Sequence, residues 1–174
     1  RLEMFSGLGA LALAEVLIEK FQLGAQIKWP NDVLVDDRKI AGILAEGAWQ
    51  DGRLAWVAVG IGVNLNMSPR EAARVDRPIA VMAHELGAPV EQEGFVRDLL
   101  GALDGLLRSA SHGGLAELHP EIHPRIAGLG SRVSVETPQG VRRGRMIGID
   151  DAGFLLLEEE LGSLQRIGSG VMTC

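Results

Sequence analysis

Residues 28–46 read KWPNDVLVDDRKIAGILAE, and no other part of the chain packs so many polar groups beside strand-forming residues. Pro30 fixes its own φ and drives Trp29 toward an extended conformation. Asn31 and Asp32 follow at once, and short polar side chains that bond nearby backbone favour a turn. With Ile27 before this turn and Val33 and Val35 after it, the pattern predicts two short strands, 27–29 and 33–35. They are broken at Pro30, and the chain turns again at Asp36-Asp37. A longer strand over 40–49 comes next and another over 54–65, separated by Gln50-Asp51-Gly52-Arg53. An Asp-Gly pair between two apolar runs marks a hairpin. The expected core is therefore an antiparallel sheet.

Working outward, residues 6–21 have helical spacing, with Leu13, Leu17 and Phe21 on one face, Ser6 as N-cap and Gly24 as stop. The middle of the chain is helical too. Pro78 is expected to open a helix through Glu85 that Gly87 ends, and Phe95, Leu99, Leu103, Leu106 and Leu107 form an apolar stripe. A shorter helix is expected around 115–118, and HPEIHPRIAGLGS (119–131) reads as an irregular connector. From Arg132 onward the period shortens to four or five strands, with turns at 137–140, 150–153 and 161–162, which suits a small β-barrel or sandwich. The predicted fold class is α+β, a mixed or antiparallel sheet packed on helices in domain 1–128, followed by a β domain over 129–174.

The sequence has 174 residues, 47% hydrophobic and 23% charged, enough for a substantial core. Its net charge of −6 gives no global basic footprint, so no nucleic-acid role is expected of this chain. The apolar runs are short, so no membrane span is expected, and the charged start predicts no secretory signal. The one cysteine, Cys174, allows no internal disulfide and fits a cytoplasmic protein.

Each polar feature of the opening stretch has two readings. Asn31 and Asp32 either brace a turn or present an amide and a carboxylate to a cleft. Lys39 is either an edge charge or the point charge of an anion site. Gly42, inside a strand, marks either a bulge or a close approach by a ligand. Further on, VAVGIGVNLN places Gly60, Gly62 and Asn64 on one face of a strand. No helix follows this G-x-G pair, which argues against a dinucleotide fingerprint. The histidines lack metal-site spacing, and no metal ligand is assigned. Glu158-Glu159-Glu160 reads as a solvated turn, and Arg142, Arg143 and Arg145 as a basic strand face.

KWPNDVLVDDRKIAGILAE followed by VAVGIGVNLN resembles the signature of the bacterial biotin protein ligases (biotin–acetyl-CoA-carboxylase ligases). The resemblance implies a class II synthetase-like catalytic core and a carboxyl-terminal SH3-like barrel. It also implies an ATP-dependent, AMP-forming ligase that makes biotinyl-5′-AMP and then biotinylates a lysine of the biotin carboxyl carrier protein. Lys39 would bridge the biotin carboxylate and the α-phosphate; Gly42, Ile43, Gly60 and Gly62 would receive biotin; Lys28, Asn31 and Asn64 would face the nucleotide. Asp32 would be catalytic, with three roles open to it: orienting the acceptor amine, helping to hold a metal, or bracing the turn. Biotin and ATP would be the substrates, with Mg2+ carried on the ATP phosphates, and a homodimer is compatible.

The family's Gly-Arg-Gly-Arg loop and the biotin-binding segment before it do not occur in these 174 residues, and VRRGRMIG stands too late to replace them. This polypeptide alone is therefore expected to be a poor ligase, with biotinyl-adenylate formation as the check. Two other readings are an inactive biotin-binding relative and a lipoate–protein ligase-like transferase.

Overall fold

The computed structural model describes residues 2–113, 122–160 and 162–173, with 111–113 as backbone only. Helix α1 spans Leu2–Phe21. Four strands follow, β1 (Ala25–Lys28), β2 (Asp32–Val35), β3 (Arg38–Gln50) and β4 (Arg53–Val63), in an antiparallel sheet of order β1-β2-β3-β4. Both predicted turns are two-residue I′ hairpins. Asp36 and Asp37 have φ of 48° and 60°, and Asp51 and Gly52 have 52° and 74°, the left-handed pair that matches strand twist. The Trp29-Pro30 peptide is cis.

Helix α1 begins earlier than its expected N-cap, and Ser6 lies buried inside it. The first turn is held because Leu2 packs on β3: a methyl group added at Gly47 would fall 2.8 Å from Leu2 Cδ2. Leu8, Leu11, Leu13, Val16 and Leu17 are all buried, more than one stripe's worth. The reason is that α1 has the sheet on one side and α4 (Gln92–Gly113) on another. Each such side chain contributes about 1.5–3 kcal/mol relative to exposure. Phe21 and Phe95 close the α1–α4 contact, with ring centroids 6.0 Å apart.

The helix expected from Pro78 to Glu85 is a correction. Only Met82–Leu86 is helical (α3, after the short α2 at Pro69–Ala72), and Gly87 ends it at φ 68°. Residues 78–80 are extended because Lys39 N–H donates to Pro78 O (3.3 Å) and Ala80 N–H to Lys39 O (2.9 Å). Partners on β3 thus outweigh the helical tendency that Pro at a first turn suggests. The helix expected around 115–118 lies outside the described residues. At 123–125 the connector makes a single 3-10 turn, His123–Arg125.

The carboxyl-terminal module is an antiparallel sheet of order β8-β7-β6-β5-β9, from β5 (Arg132–Thr137), β6 (Gly140–Ile149), β7 (Leu155–Glu158), β8 (Leu164–Ile167) and β9 (Val171–Thr173). Val133, Val135, Met146, Leu155, Leu157, Ile167 and Met172 fill it and join the same core as α1. Glu158 belongs to β7 rather than to the turn after it. Arg142, Arg143 and Arg145 lie on β6, but they do not form one face: Arg143 and Arg145 share a side, and Arg142, adjacent in the strand, takes the other. No helix among the described residues is long and apolar enough to cross a membrane.

The β6–β7 turn carries a pH-sensitive brace. Asp150 Oδ1 accepts N–H bonds from Ala152 (2.9 Å) and Phe154 (3.0 Å), while Oδ2 accepts from Arg166 Nε (2.6 Å). Burial pushes this carboxyl's pKa up. The Phe154 N–H, the Arg166 guanidinium and the Ala152 N–H together outweigh that and hold it below the usual carboxylate value. A depressed folded-state pKa means stability that is full above the unfolded value, near 4, and is lost as pH falls through the folded value. Asp150→Asn is expected to lower stability at pH 7 by about 1–2 kcal/mol. It should also flatten the acid limb of stability below about pH 4, read by urea unfolding across pH.

Candidate functional site

The pairing of β3 with β4 sets two faces. Gly42 opposes Gly62, Ile43 opposes Ile61, Leu44 opposes Gly60, Glu46 opposes Ala58 and Ala48 opposes Trp56. Directly paired residues share a side, and sides alternate along each strand. Ile43, Val59 and Ile61 point to α1, where a methyl group on Gly9 would meet all three at 3.1–3.5 Å. The opposite face therefore carries Gly42, Leu44, Glu46 and Ala48 on β3 against Gly62, Gly60, Ala58 and Trp56 on β4. It is a trough floored by small residues, with Leu44 60% exposed and Trp56 56% exposed beside it.

At one end of the trough stand Lys39 and Asp32. Lys39 Nζ pairs with Asp32 Oδ1 at 2.5 Å, and the two side chains are 28% and 23% exposed. Both lie over Gly42: an added methyl group there would sit 3.0 Å from Lys39 Nζ and 3.6 Å from Asp32 Oδ1. Glycine at this position is what lets the ammonium lie against the strand.

The Lys39 backbone is fixed from several directions. Pro78 O and Ala80 N bond its amide and carbonyl, and Asn64 Nδ2 donates to both Lys39 O (3.1 Å) and Ala80 O (3.0 Å). One residue earlier, Arg38 grips Glu85 through two bonds of 2.9 and 2.8 Å. That tie holds α3 against the start of β3. Asn31 sits in the β1–β2 turn, with its carbonyl accepting Ile43 N–H at 2.8 Å. Lys28, the last residue of β1, is paired in register with Asp32.

Lys28, Asn31, Asp32, Lys39, Gly42, Gly60, Gly62 and Asn64 thus come together around one face and its end. Ile43 does not. Its side chain is 1% exposed and faces α1, so only its backbone reaches the turn. Alternation along the strand was enough to find this. Leu44, one residue on, is the apolar side chain of β3 that the open face does present, with Trp56 of β4 further along it. Sequence reasoning also missed the 78–80 strap, the Arg38–Glu85 clamp and the second bonding role of Asn64, since all three depend on partners distant in the chain. Among the described residues no group of three or more His, Cys, Asp and Glu is placed to hold a metal ion.

Chemically, the arrangement offers the Lys39 ammonium at the end of a trough floored by small residues, with Leu44, Glu46 and Trp56 further along it, and with Lys28 and a rigid Asn-Asp turn beside it. Such a site suits a flat apolar ligand that carries a carboxylate, next to a second anion.

The model of the Biotin/lipoate A/B protein ligase family matches residues 1–64, and that of the Biotin protein ligase C terminal domain matches residues 128–172. The bifunctional ligase/repressor BirA of Bacillus subtilis is 30% identical over 156 residues, covering 89% of this chain and 48% of that protein. The biotin–[acetyl-CoA-carboxylase] ligase of Paracoccus denitrificans is 36% identical over 140 residues, 78% of this chain and 58% of the relative. The chain spans about half the length of such relatives. In fold it is similar to the biotin protein ligase from Aquifex aeolicus in complex with biotin and ATP. That match has a TM-score of 0.80 at 23% identity, over 99% of this chain and 71% of the other.

Proposed function

Because the chain belongs to the biotin protein ligase family, carrying its ligase and C-terminal domains in order, we propose that it forms part of an ATP-dependent biotin–[acetyl-CoA-carboxylase] ligase. The observation that carries the reading is the trough: small residues under a fixed lysine, with open space where the fold itself does not need it. A methyl group at Gly60 or Gly62 would meet nothing closer than 3.8 Å, and neither residue has a positive φ. Glycine in a strand interior costs stability, so two on one side of the same strand with no steric demand point to an occupant. In this reading the occupant is the ring system of biotin.

In this reading a carboxylate oxygen of biotin attacks the α-phosphorus of ATP. The bond from phosphorus to the bridging oxygen breaks, and pyrophosphate leaves. Lys39 lies where the carboxylate and the α-phosphate meet, and its charge reduces their repulsion and stabilises the charge that develops. Asp32 holds that ammonium over Gly42 before the ligands arrive. In the second half-reaction a carrier lysine attacks the acyl carbon of biotinyl-5′-AMP, AMP leaves, and an amide forms with loss of the amine's proton. Lys28, Asn31 and the free Oδ1 side of Asn64 face the nucleotide end. Mg2+ enters with ATP, bound by phosphate oxygens and water. The reading includes transient docking of the biotin carboxyl carrier protein beside the open face, a homodimer and a cytoplasmic setting.

Equilibrium titration with biotin and with lipoate, each with and without MgATP, tests it. Biotin is expected to bind and lipoate not. Preference for lipoate, or binding of neither acid, overturns the assignment.

A further inference from the structure

Trp29 is 2% exposed, and its indole Nε1–H donates to Gly153 O at 3.0 Å. Gly153 belongs to the β6–β7 turn of the carboxyl-terminal module, so a residue of the WPND segment is tied to the other domain. That turn is stiff. Gly153 N–H donates to Asp150 O (2.8 Å), Asp150 N–H to Phe154 O (2.9 Å), and the Asp150 carboxylate takes the bonds described above. The Arg166 guanidinium lies 4.7 Å over the Phe154 ring. The turn is also seated on α1: at Gly153, with φ 85°, an added methyl group would fall 2.9 Å from Glu3 Cβ. Gly153 O is therefore a fixed acceptor.

From Trp29 the chain passes through Pro30 to Asn31, held by Ile43 N–H, and to Asp32, held by Lys39. The turn that presents Asn31 and Asp32 is closed by the pairing of Lys28 with Asp32, and is held at Ile43 within the sheet and, through Trp29, at Gly153 outside it. The connector just before the module is tied to β1 as well, by Ala127 N–H to Ile27 O at 2.9 Å and the Ile27–Ile126 bridge, and these do not involve the indole N–H.

We propose that Trp29 is a positioning residue, through which the carboxyl-terminal module sets the place of the Asn31-Asp32 turn and hence the nucleotide end of the site. This rests on the ligase reading above. The test is Trp29→Phe, together with a benzothienylalanine at position 29, which keeps the fused ring and lacks only the N–H. Amide hydrogen exchange reads the turn without any need for catalysis. The Ile43 amide, bonded to Asn31 O, is expected to exchange about tenfold faster, the scale of one lost hydrogen bond. The Asn64 amide, bonded to Ile40 O at 2.9 Å, should be unchanged. Affinity for MgATP should fall by about tenfold while that for biotin stays within about twofold. Unchanged exchange at Ile43, an equal rise at Asn64, or equal losses for both ligands overturns the proposal. Failure of the unsubstituted protein to bind biotin and MgATP sinks the ligase reading instead, while the exchange response still tests the tie itself.

Discussion

Lys39→Ala is expected to slow biotin-dependent exchange of pyrophosphate into ATP by about 10²–10³-fold, the scale seen when one preorganised charge-stabilising group is removed. Biotin affinity should fall far less, because the trough is built from Gly42, Gly60, Gly62 and Leu44 rather than from the ammonium. The ratio between variant and parent carries the test, whatever the starting rate. Stability should barely change. The Lys39–Asp32 pair is partly exposed on both sides, and such pairs are worth about 0–1 kcal/mol once screening is counted. Removing the lysine also leaves Asp32 within reach of water. A large drop in thermal stability would assign Lys39 to the fold, and an unchanged exchange rate would remove it from the reaction. An inactive biotin-binding relative has no exchange to lose, so the same measurement separates that reading.

Filling the trough should have the second large effect and the opposite stability signature. Gly60→Val places a branched side chain on the open face, where an added Cβ finds no atom nearer than Leu44 O at 3.8 Å. Valine suits a strand better than glycine, so the melting temperature should hold or rise, by up to about 1 kcal/mol in unfolding free energy. Biotin affinity should fall by about 10²-fold or more, since a side chain cannot share a floor the ligand needs, and each misfit of this kind costs several kcal/mol. Gly62→Ala is the milder step in the same series. If both variants bind biotin as the parent does, the ligand lies elsewhere. Most substitutions that abolish binding by damaging the fold lower stability as well, so holding or gaining stability while losing the ligand is the informative combination.

The face of the sheet was legible from spacing alone. Gly60, Gly62 and Asn64 stand two apart on one side of β4. The Asp51-Gly52 turn alone would set Gly60 opposite Ile43 and Gly62 opposite Ala41; a bulge between Ala48 and Trp49 sets them opposite Leu44 and Gly42 instead. Period 2 and hairpin chemistry are local rules, so the antiparallel pairing and the alternation along each strand follow from them, while the bulge that sets the register of the trough does not. The same rule, carried through, removes Ile43 from the open face. Residues 78–81 show where local rules stop: Pro78 reads as a helix start, yet 78–80 lie extended. Their hydrogen-bonding partner, Lys39, is some forty residues earlier in the chain, and no propensity at 78 records it. Asn64 is similar. Its side of the strand could be predicted, but not that its amide would bind two carbonyls from separate segments.

The sequence by itself determined the strands, their turns, the alternation along each strand and the two signature segments, because all of these depend on dihedral preference and alternation over a few residues. Tertiary structure alone decided that Asp32 holds Lys39 over Gly42, that Arg38 and Glu85 clamp the strap beside it, and that Trp29 reaches Gly153. Those contacts join groups 7 to 124 residues apart, and they form only when burial of α1 against the sheet and the second module brings their backbones together.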